Sequence, residues 1–402
     1  MLGTYRTLLK TPGSFRISFS GLLARMPGGM DSLAIIFIVL GAEKQYAIAG
    51  ALTGVAALTT VVSAPFWSNQ SDKRGQRFVL KIAVPTRTLA MFTFIALVAL
   101  DAPVWSWFVA IIAAESSSVS IGSFTRRRWV SVMGDEDQSK VNAAYSFESA
   151  LDQTVYITGP VLATAISTVS PPAGLILATT FFLVGGSLLL THNVSTPQII
   201  ERTEHPPLIR NRAIHAVAIP IILIGGCFGP INLAFVAFSR EVGHPGMAGV
   251  LLAVGSLGGL IFALINGAIK WKISAGIRFR INLLIFALIA VPLPFIESIP
   301  VLFFLNFFLG GSVGPLFPTA IAIVEKKVPK SHMTEAISLI FAGIPLAGAF
   351  TSIWTGKILD DHGSEVALWV PVLFIALGAA STLFYRRWYQ DPVKEGTKSN
   401  GL

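Results

Sequence analysis

Cysteine and charged side chains are scarce in this sequence of 402 residues. It contains one cysteine, Cys227, and only 13% of its residues are charged. A single cysteine excludes a disulfide framework and a cysteine-based metal site, and the six histidines form no HExxH pair. No phosphate-binding GxxxxGKS or GxxxxGKT loop is present. The sequence therefore predicts no cofactor, no bound metal and no enzymatic chemistry.

Apolar residues take the place of the missing charge. They make up 53% of the chain, and the mean hydropathy is +0.69. About 20 apolar residues suffice for a helix to cross a bilayer, and runs of this kind recur along the whole chain. We therefore expect an all-α polytopic membrane protein with twelve spans, at residues 16–40, 46–67, 78–100, 104–123, 141–169, 173–192, 213–238, 247–269, 281–297, 300–324, 334–358 and 366–386.

Lysine and arginine are unevenly distributed between the connections. The connections after even-numbered spans are rich in both residues, whereas the other connections contain only Lys44, Arg240 and Lys357. The positive-inside rule then predicts a multi-pass protein of the cytoplasmic (plasma) membrane with both termini in the cytoplasm. A basic cytoplasmic face also accounts for the net charge of +9, so no nucleic-acid partner is expected.

The chain divides into two halves of similar length. The longest polar connection, residues 191–212, follows the sixth span. We therefore predict an N-terminal six-helix bundle at 1–192, a cytoplasmic linker at 193–212, and a C-terminal six-helix bundle at 213–402 with a short cytoplasmic tail. The segment from Ala49, AGALTGVAALTTVVSAPFW, aligns weakly with the segment from Ala248, AGVLLAVGSLGGLIFALIN. Paired halves with a site between them are typical of transporters.

The loop after the second span, SNQSDKRGQR, resembles the signature of the major facilitator superfamily. Ser68 and Gln76 depart from that signature, and the residues that match it are Asp72, Lys73, Gly75 and Arg77. The resemblance implies a loop that closes the two bundles against each other on the cytoplasmic side. Asp72 and Arg77 are the residues that would form this closure, and Asp72→Asn is expected to slow turnover.

Other segments extend the resemblance over most of the chain. The pair Gly159-Pro160 in the fifth span is similar to the antiporter motif of this superfamily. ARMP (24–27), RRRW (126–129) and TEA (334–336) resemble actinobacterial permeases similar to drug/proton antiporters. The resemblance implies the major facilitator fold, with twelve transmembrane helices in two pseudo-symmetric bundles.

Six ionisable residues lie inside the predicted spans of the first half. These candidate proton-coupling or substrate-binding residues are Arg25, Asp31, Arg87, Glu115, Glu148 and Asp152. Four acids against two arginines leave an excess of two carboxylates. Because arginine stays charged and a lone charge at membrane depth is costly, one or two of the acids are expected to hold a proton.

This cluster has two interpretations. In the first, a carboxylate exchanges a proton as the cavity alternates between sides, and Asp152→Asn would abolish coupling. In the second, Arg25 pairs with Asp152 or Glu148 and Arg87 with Glu115, and the pairs only hold the helices together. Glu148, the acid nearest the cytoplasmic edge, is expected to reach toward the membrane interface.

The leading functional hypothesis is proton-coupled efflux of a lipophilic or cationic small molecule. It is based on Gly159-Pro160, on the acid excess, and on Asp31, which occupies a position where drug/proton antiporters often carry an acid. Two alternatives remain: an uptake symporter for an anionic metabolite, favoured by Arg25 and Arg87, and a non-transporting sensor with the same fold. The expected partners are a small-molecule substrate, protons and the lipid bilayer, and the protein is expected to be monomeric.

Overall fold

The computed structural model describes residues 13–42, 45–133, 138–191, 212–327, 333–385 and 389. Nearly all of these residues are helical. The predicted linker at 193–212 falls outside the described residues except for its last position, and so do both chain ends. The boundaries of the two predicted bundles and the position of the termini therefore stay predictions.

The described residues of the first half form eight helices. They are α1 (Ser14–Arg25), α2 (Pro27–Ala42), α3 (Tyr46–Arg74), α4 (Gln76–Ala99), α5 (Val104–Glu115), α6 (Ile121–Met133), α7 (Gln138–Val169) and α8 (Ala173–Thr191). Helices α1 and α2 follow each other at Met26 and together form the first span. Helix α5 covers the first part of the predicted fourth span, and α6 follows it.

The part of the second half that the structure describes forms six α-helices and a short 3₁₀ helix. They are α9 (Arg212–Glu241), α10 (Met247–Ala268), α11 (Ala275–Ala290), the 3₁₀ helix Leu293–Phe295, α12 (Ile299–Lys327), α13 (Met333–Ala367) and α14 (Trp369–Phe384). The ninth span begins and ends earlier than the predicted 281–297, because Pro292 and Pro294 stop helical hydrogen bonding.

Among the described residues, eight helical segments are long and apolar enough to cross a membrane, and they correspond to predicted spans one to three and six to ten. The fifth span, α7, has 32 residues and contains several polar side chains. The eleventh and twelfth spans are long and apolar enough when taken together, and the chain bends by 70° where they meet. Gly363, at φ 78°, interrupts the last turns of α13.

The fourth span is not the continuous helix that the sequence predicts for 104–123. It breaks at 116–120, where four of the five residues are serine, whose side chains compete for backbone hydrogen bonds. Helix α3 satisfies carbonyl groups at this break. The Ser63 hydroxyl donates to the Glu115 carbonyl oxygen at 2.9 Å, and the Trp67 indole N–H donates to the Ser116 carbonyl oxygen at 2.7 Å.

The two halves meet through two pairs of helices, α3 with α13 and α7 with α10. Each pair joins the second span of one half to the fifth span of the other, as a pseudo-twofold axis requires. A Cβ atom on Gly54 would lie 2.8 Å from the Ala349 carbonyl oxygen, and Gly249 approaches the Pro160 carbonyl oxygen as closely. The small residues therefore allow backbone-to-backbone packing between the halves.

These inter-half contacts lie toward one face of the molecule. We call the side that carries Arg127 and the end of α3 the basic face, and the side where α3 begins the outer face. At the outer face, the Asp360 carboxylate accepts hydrogen bonds from the backbone N–H groups of Tyr46 and Ala47, each at 2.8 Å. An apolar cluster there combines first-half residues with Leu233 from α9. The outer face of the central cavity is therefore closed.

Candidate functional site

The candidate site is a central cavity of about 760 Å³ between the halves. Its first-half wall contains charged side chains from several helices. In contrast, every second-half residue that lines it is uncharged: Gly225, Phe228, Gly229, Asn232, Ile344, Pro345, Gly348, Ala349 and Ser352. The cavity therefore has one charged wall and one wall of small, amide, aliphatic and aromatic groups.

The first charged cluster is centred on Arg25, in the last turn of α1. Its Nη1 lies 2.6 Å from Asp152 Oδ1, and its Nη2 contacts Glu148 Oε2. Its Nε donates to the Gly21 carbonyl oxygen at 2.9 Å. All three guanidinium nitrogens are therefore engaged, and the ion pairs connect α1 to α7.

Glu148 is fully buried, which corrects the expectation that it reaches toward the interface. Besides Arg25, its carboxylate accepts hydrogen bonds from the hydroxyls of Ser18 at 3.2 Å and Thr125 at 2.7 Å, and from the Trp129 indole at 2.8 Å. Four donors from two helices, α1 and α6, therefore satisfy the carboxylate in the interior. Glu148 therefore belongs to the buried framework of the site and does not line the cavity.

Arg126 is the site residue that sequence reasoning missed. It was assigned to a cytoplasmic connection, but helix α6 carries it to the cavity, where its Nη2 lies 2.6 Å from Asp152 Oδ2. Its side chain is 34% exposed. The run of three consecutive arginines is the signal that the sequence offers. Successive residues of a helix point about 100° apart, so in a helix the three side chains point in different directions.

The two arginines that follow make different contacts. Arg127 Nη1 lies 2.5 Å from Asp72 Oδ1 at the end of α3. The buried Arg128 donates to Gln76 Oε1 at 2.9 Å and to the Leu189 carbonyl oxygen at 2.8 Å. Helix α6 is thereby tied to α3, α4 and α8 at the basic face.

The loop with the family signature is a junction of one residue. Gly75 has φ 82° and ψ 158°, a conformation that essentially only glycine adopts, so the expected tight turn is present between α3 and α4. The closure of the two halves by Asp72 and Arg77 stays a prediction. Asp72 pairs with Arg127 of its own half, because the break before α6 brings that arginine beside the end of α3.

The second charged cluster is centred on Arg87, buried in the middle of α4. Its Nη2 lies 3.0 Å from Glu115 Oε1 and also pairs with Asp31 of α2. Its guanidinium carbon lies 4.8 Å from the centre of the Phe182 ring, a cation–π contact. Glu115 also accepts a hydrogen bond from the Thr60 hydroxyl at 2.9 Å. Two acids therefore share one arginine.

The charge count of the site differs from the sequence estimate. With Arg126 included, three arginines oppose four acids, so the excess falls from two carboxylates to one. The excess is also localised. Two arginines match two acids around Arg25, whereas Arg87 alone faces Asp31 and Glu115.

Gly159 and Pro160 lie where three helices converge. A Cβ atom on Gly159 would lie 2.9 Å from the Gly29 Cα atom, so α7 packs directly against α2. The Pro160 carbonyl oxygen lies against Gly249 of α10. The glycine-proline pair therefore joins the charged half to the uncharged half beside the cavity.

The aromatic residues of the second half occupy different environments. Of Phe228, Phe235, Phe262 and Trp354, only Phe228 lines the central cavity. Phe235 is fully buried in the core, and Trp354 is 75% exposed on the outside of the bundle. Phe262 packs against Phe307 instead.

Comparison with known proteins identifies the fold. The family model described as Major Facilitator Superfamily matches residues 17–299 and 217–401, which together cover nearly the whole chain. The chain belongs to the major facilitator superfamily. No curated protein sequence matches it.

Solved transporters of this superfamily have the same architecture. The nucleoside transporter NupG superposes with a TM-score of 0.73 at 12% identity, covering 94% of this chain and 99% of that chain. A bacterial homologue of the human lysosomal transporter Spinster, inward-facing and occupied, gives 0.70 at 13% identity, covering 93% and 96%. A bacterial homologue of the iron transporter ferroportin, inward-facing, gives 0.66 at 17% identity, covering 94% and 99%.

These matches confirm the predicted fold class of twelve transmembrane helices. They identify the chain as a multi-pass membrane transporter of this superfamily. At such low identity, the structural similarity extends to the fold and not to the substrate.

Proposed function

We propose that this transporter exchanges protons for a lipophilic or cationic small molecule, and that it exports that molecule. The observation that carries the proposal is the Arg87 cluster, in which two carboxylates share one arginine beside the central cavity. Both Asp31 and Glu115 line the cavity, so the cluster is accessible to a ligand.

The excess negative charge of this cluster can be neutralised by a proton or by an organic cation. Two carboxylates close to one guanidinium repel each other, and in a low-dielectric interior this favours a proton on one of them. A bound organic cation would neutralise the same charge. Because proton and substrate would then compete for one negative charge, each would release the other, which is the requirement for antiport.

Asp152 is less suited to this role than the sequence analysis proposed. It lies between Arg25 and Arg126, and Glu148 completes a neutral group of four. Removing its charge would leave an arginine unpaired, so we assign this group to positioning α1, α6 and α7. The proton-exchanging role is proposed instead for Asp31 and Glu115.

The cavity walls favour a cation over an anion. The Arg25 guanidinium has no free nitrogen, and Arg87 is held between two acids and the Phe182 ring. The opposite wall supplies Phe228, whose ring face attracts cations. An anionic metabolite, the uptake alternative, would have to displace these ion pairs.

Export fits the state of the molecule and its charge distribution. The positive-inside rule assigns the basic face to the cytoplasm, and the halves are closed against each other at the outer face. In this orientation the cavity loads from the cytoplasm. Release would require α3 to separate from α13, and α7 from α10.

The test uses everted membrane vesicles with an acidified lumen and a pH-sensitive dye. A panel of lipophilic cations should dissipate the gradient with the unmodified protein. Asp31→Asn or Glu115→Gln should lower the cation-dependent proton flux by more than tenfold, while radiolabelled substrate still equilibrates down its own gradient. Asp101→Asn, the same chemical change at an exposed turn, is the control.

Three results would contradict parts of this proposal. A full proton flux in both Asp31→Asn and Glu115→Gln would overturn the assignment of the proton to this pair. Loss of flux only in Asp152→Asn would return the role to that acid. Gradient-driven accumulation of labelled anionic metabolites, with no response to cations, would establish uptake instead of export.

A further inference from the structure

A second cavity lies in the second half, away from the central one. It has a volume of about 310 Å³ and is enclosed by α10, α11 and α12 near the basic face. It shares no lining residue with the central cavity. Several isoleucines along it are about half exposed, among them Ile265 and Ile285, so this crevice opens to the outside of the bundle, where acyl chains would lie.

The interior of the crevice is mainly apolar. Its isoleucines, Phe262 and Phe308 provide an apolar lining. The Asn282 amide donates to the Ser312 carbonyl oxygen at 2.7 Å, and the Thr319 hydroxyl donates to the Pro315 carbonyl oxygen at 2.6 Å. The polar groups are few and bond within the helices, so the lining is mainly apolar and suits a hydrocarbon chain.

The mouth of the crevice has the opposite character. Arg278 lies there with its guanidinium carbon 5.2 Å from the centre of the Trp271 ring, whose N–H donates to the Asn266 carbonyl oxygen. The buried Nε of Arg278 has no hydrogen-bond partner among the described residues. A buried donor without an acceptor is unfavourable. An external acceptor at this point would satisfy it.

The segment that forms the mouth carries charges of one sign. Lys270 and Lys272 flank Trp271 and are exposed, and residues 262–291 contain no aspartate or glutamate. Tryptophan and arginine at such a position are typical of the membrane interface. Basic pockets between transmembrane helices on the cytoplasmic side favour anionic headgroups.

We propose that this crevice binds an anionic phospholipid from the leaflet at the basic face. One acyl chain lies between α10, α11 and α12, and the headgroup phosphate accepts hydrogen bonds from Arg278. Trp271 holds the guanidinium in place, and the two lysines add attraction without fixing a geometry. This site is independent of the proposed proton exchange, because none of its residues lines the central cavity.

The test measures lipid binding to the full-length protein by native mass spectrometry. Detergent-purified protein is titrated with phosphatidylglycerol and, separately, with phosphatidylcholine of identical acyl chains. We expect phosphatidylglycerol to bind at least fivefold more tightly. Arg278→Gln should weaken phosphatidylglycerol binding about fivefold and leave phosphatidylcholine unchanged. Lys81→Gln, which removes one exposed positive charge from α4, is the matched control.

The position of the lipid is tested by cross-linking. Phosphatidylglycerol with a photoreactive group in its acyl chain should label peptides of residues 262–289. Ile285→Trp, which fills the crevice and keeps Arg278, should abolish that labelling. Equal binding of both lipids, equal losses in Arg278→Gln and Lys81→Gln, or labelling that persists in Ile285→Trp would each overturn the proposal. Size-exclusion profiles confirm that the variants are folded.

Discussion

At the residue scale, the site depends on how each carboxylate is balanced. Glu148 and Glu115 both lie inside spans of the first half, yet their surroundings differ. Glu148 has three neutral donors and belongs to a group in which two arginines match two acids, whereas Glu115 shares its single arginine with Asp31. The first arrangement balances the charge of its carboxylates, whereas the second leaves one negative charge in excess.

The first prediction concerns Glu148→Gln. The substitution removes one partner of a buried ion pair and leaves the hydrogen-bond donors of Ser18, Thr125 and Trp129 with a weaker acceptor. We expect a loss of about 3 kcal/mol in the free energy of unfolding, because a buried charge that loses its partner is strongly destabilising. The measurement is thermal unfolding of the purified protein in detergent.

The control for this prediction is Glu297→Gln, the same change at an exposed residue of the second half. Its unfolding midpoint should match that of the unmodified protein. Equal midpoints for both variants would show that the contacts of Glu148 contribute nothing to stability.

At the scale of the elements, sequence patterns located the spans better than their breaks. Apolar runs of about 20 residues leave few alternatives to a transmembrane helix, so twelve spans could be predicted. The break at 116–120 could not be predicted from the serines alone. It also depends on Ser63 and Trp67 of α3, which donate hydrogen bonds to carbonyl groups at the break. Because the sequence does not predict α6, it places Arg126 in a loop.

The second prediction concerns Gly75, the single residue between α3 and α4. At φ 82° and ψ 158°, any side chain is strained, by about 1–3 kcal/mol. Gly75→Ala should therefore lower the unfolding midpoint and weaken the contact between Asp72 and Arg127. The measurement compares the thermal unfolding midpoints of Gly75→Ala and Gly28→Ala.

Gly28→Ala is a suitable reference because an added Cβ atom there meets no atom within 4 Å and the backbone is helical. It should leave stability within about 0.5 kcal/mol of the unmodified protein. If Gly75→Ala were equally harmless, the positive φ at this junction would not be required by the fold.

At the scale of the whole molecule, transport requires the contacts at the outer face to break and re-form. Asp360 of α13 connects the two halves there, because its carboxylate accepts hydrogen bonds from the first two backbone N–H groups of α3. A carboxylate at a helix N-terminus also interacts favourably with the helix dipole. These contacts favour the state in which the outer face is closed.

The third prediction is that Asp360→Ala opens the outer face more often. The effect should be about threefold in population, because the hydrogen bonds are partly exposed to solvent. The measurement is the rate at which a membrane-impermeant maleimide labels Ser352→Cys from the outer side. Cys227 is fully buried, so it contributes little background.

The neighbouring acid supplies the control. Asp361→Ala removes an equally exposed carboxylate from the same turn of α13, and it should leave the labelling rate unchanged. Identical rates in the two variants would exclude a role for the Asp360 contacts in holding the outer face closed.

The separation of the two cavity walls has a consequence for evolution. The ion pairs beside the central cavity lie in the first half, whereas Phe228, Asn232 and Ile344 shape the other wall without carrying charge. Mutation of that second wall can alter which molecules fit while leaving the ion pairs intact. Closely related sequences that diverge in substrate range are therefore expected to differ first at these positions.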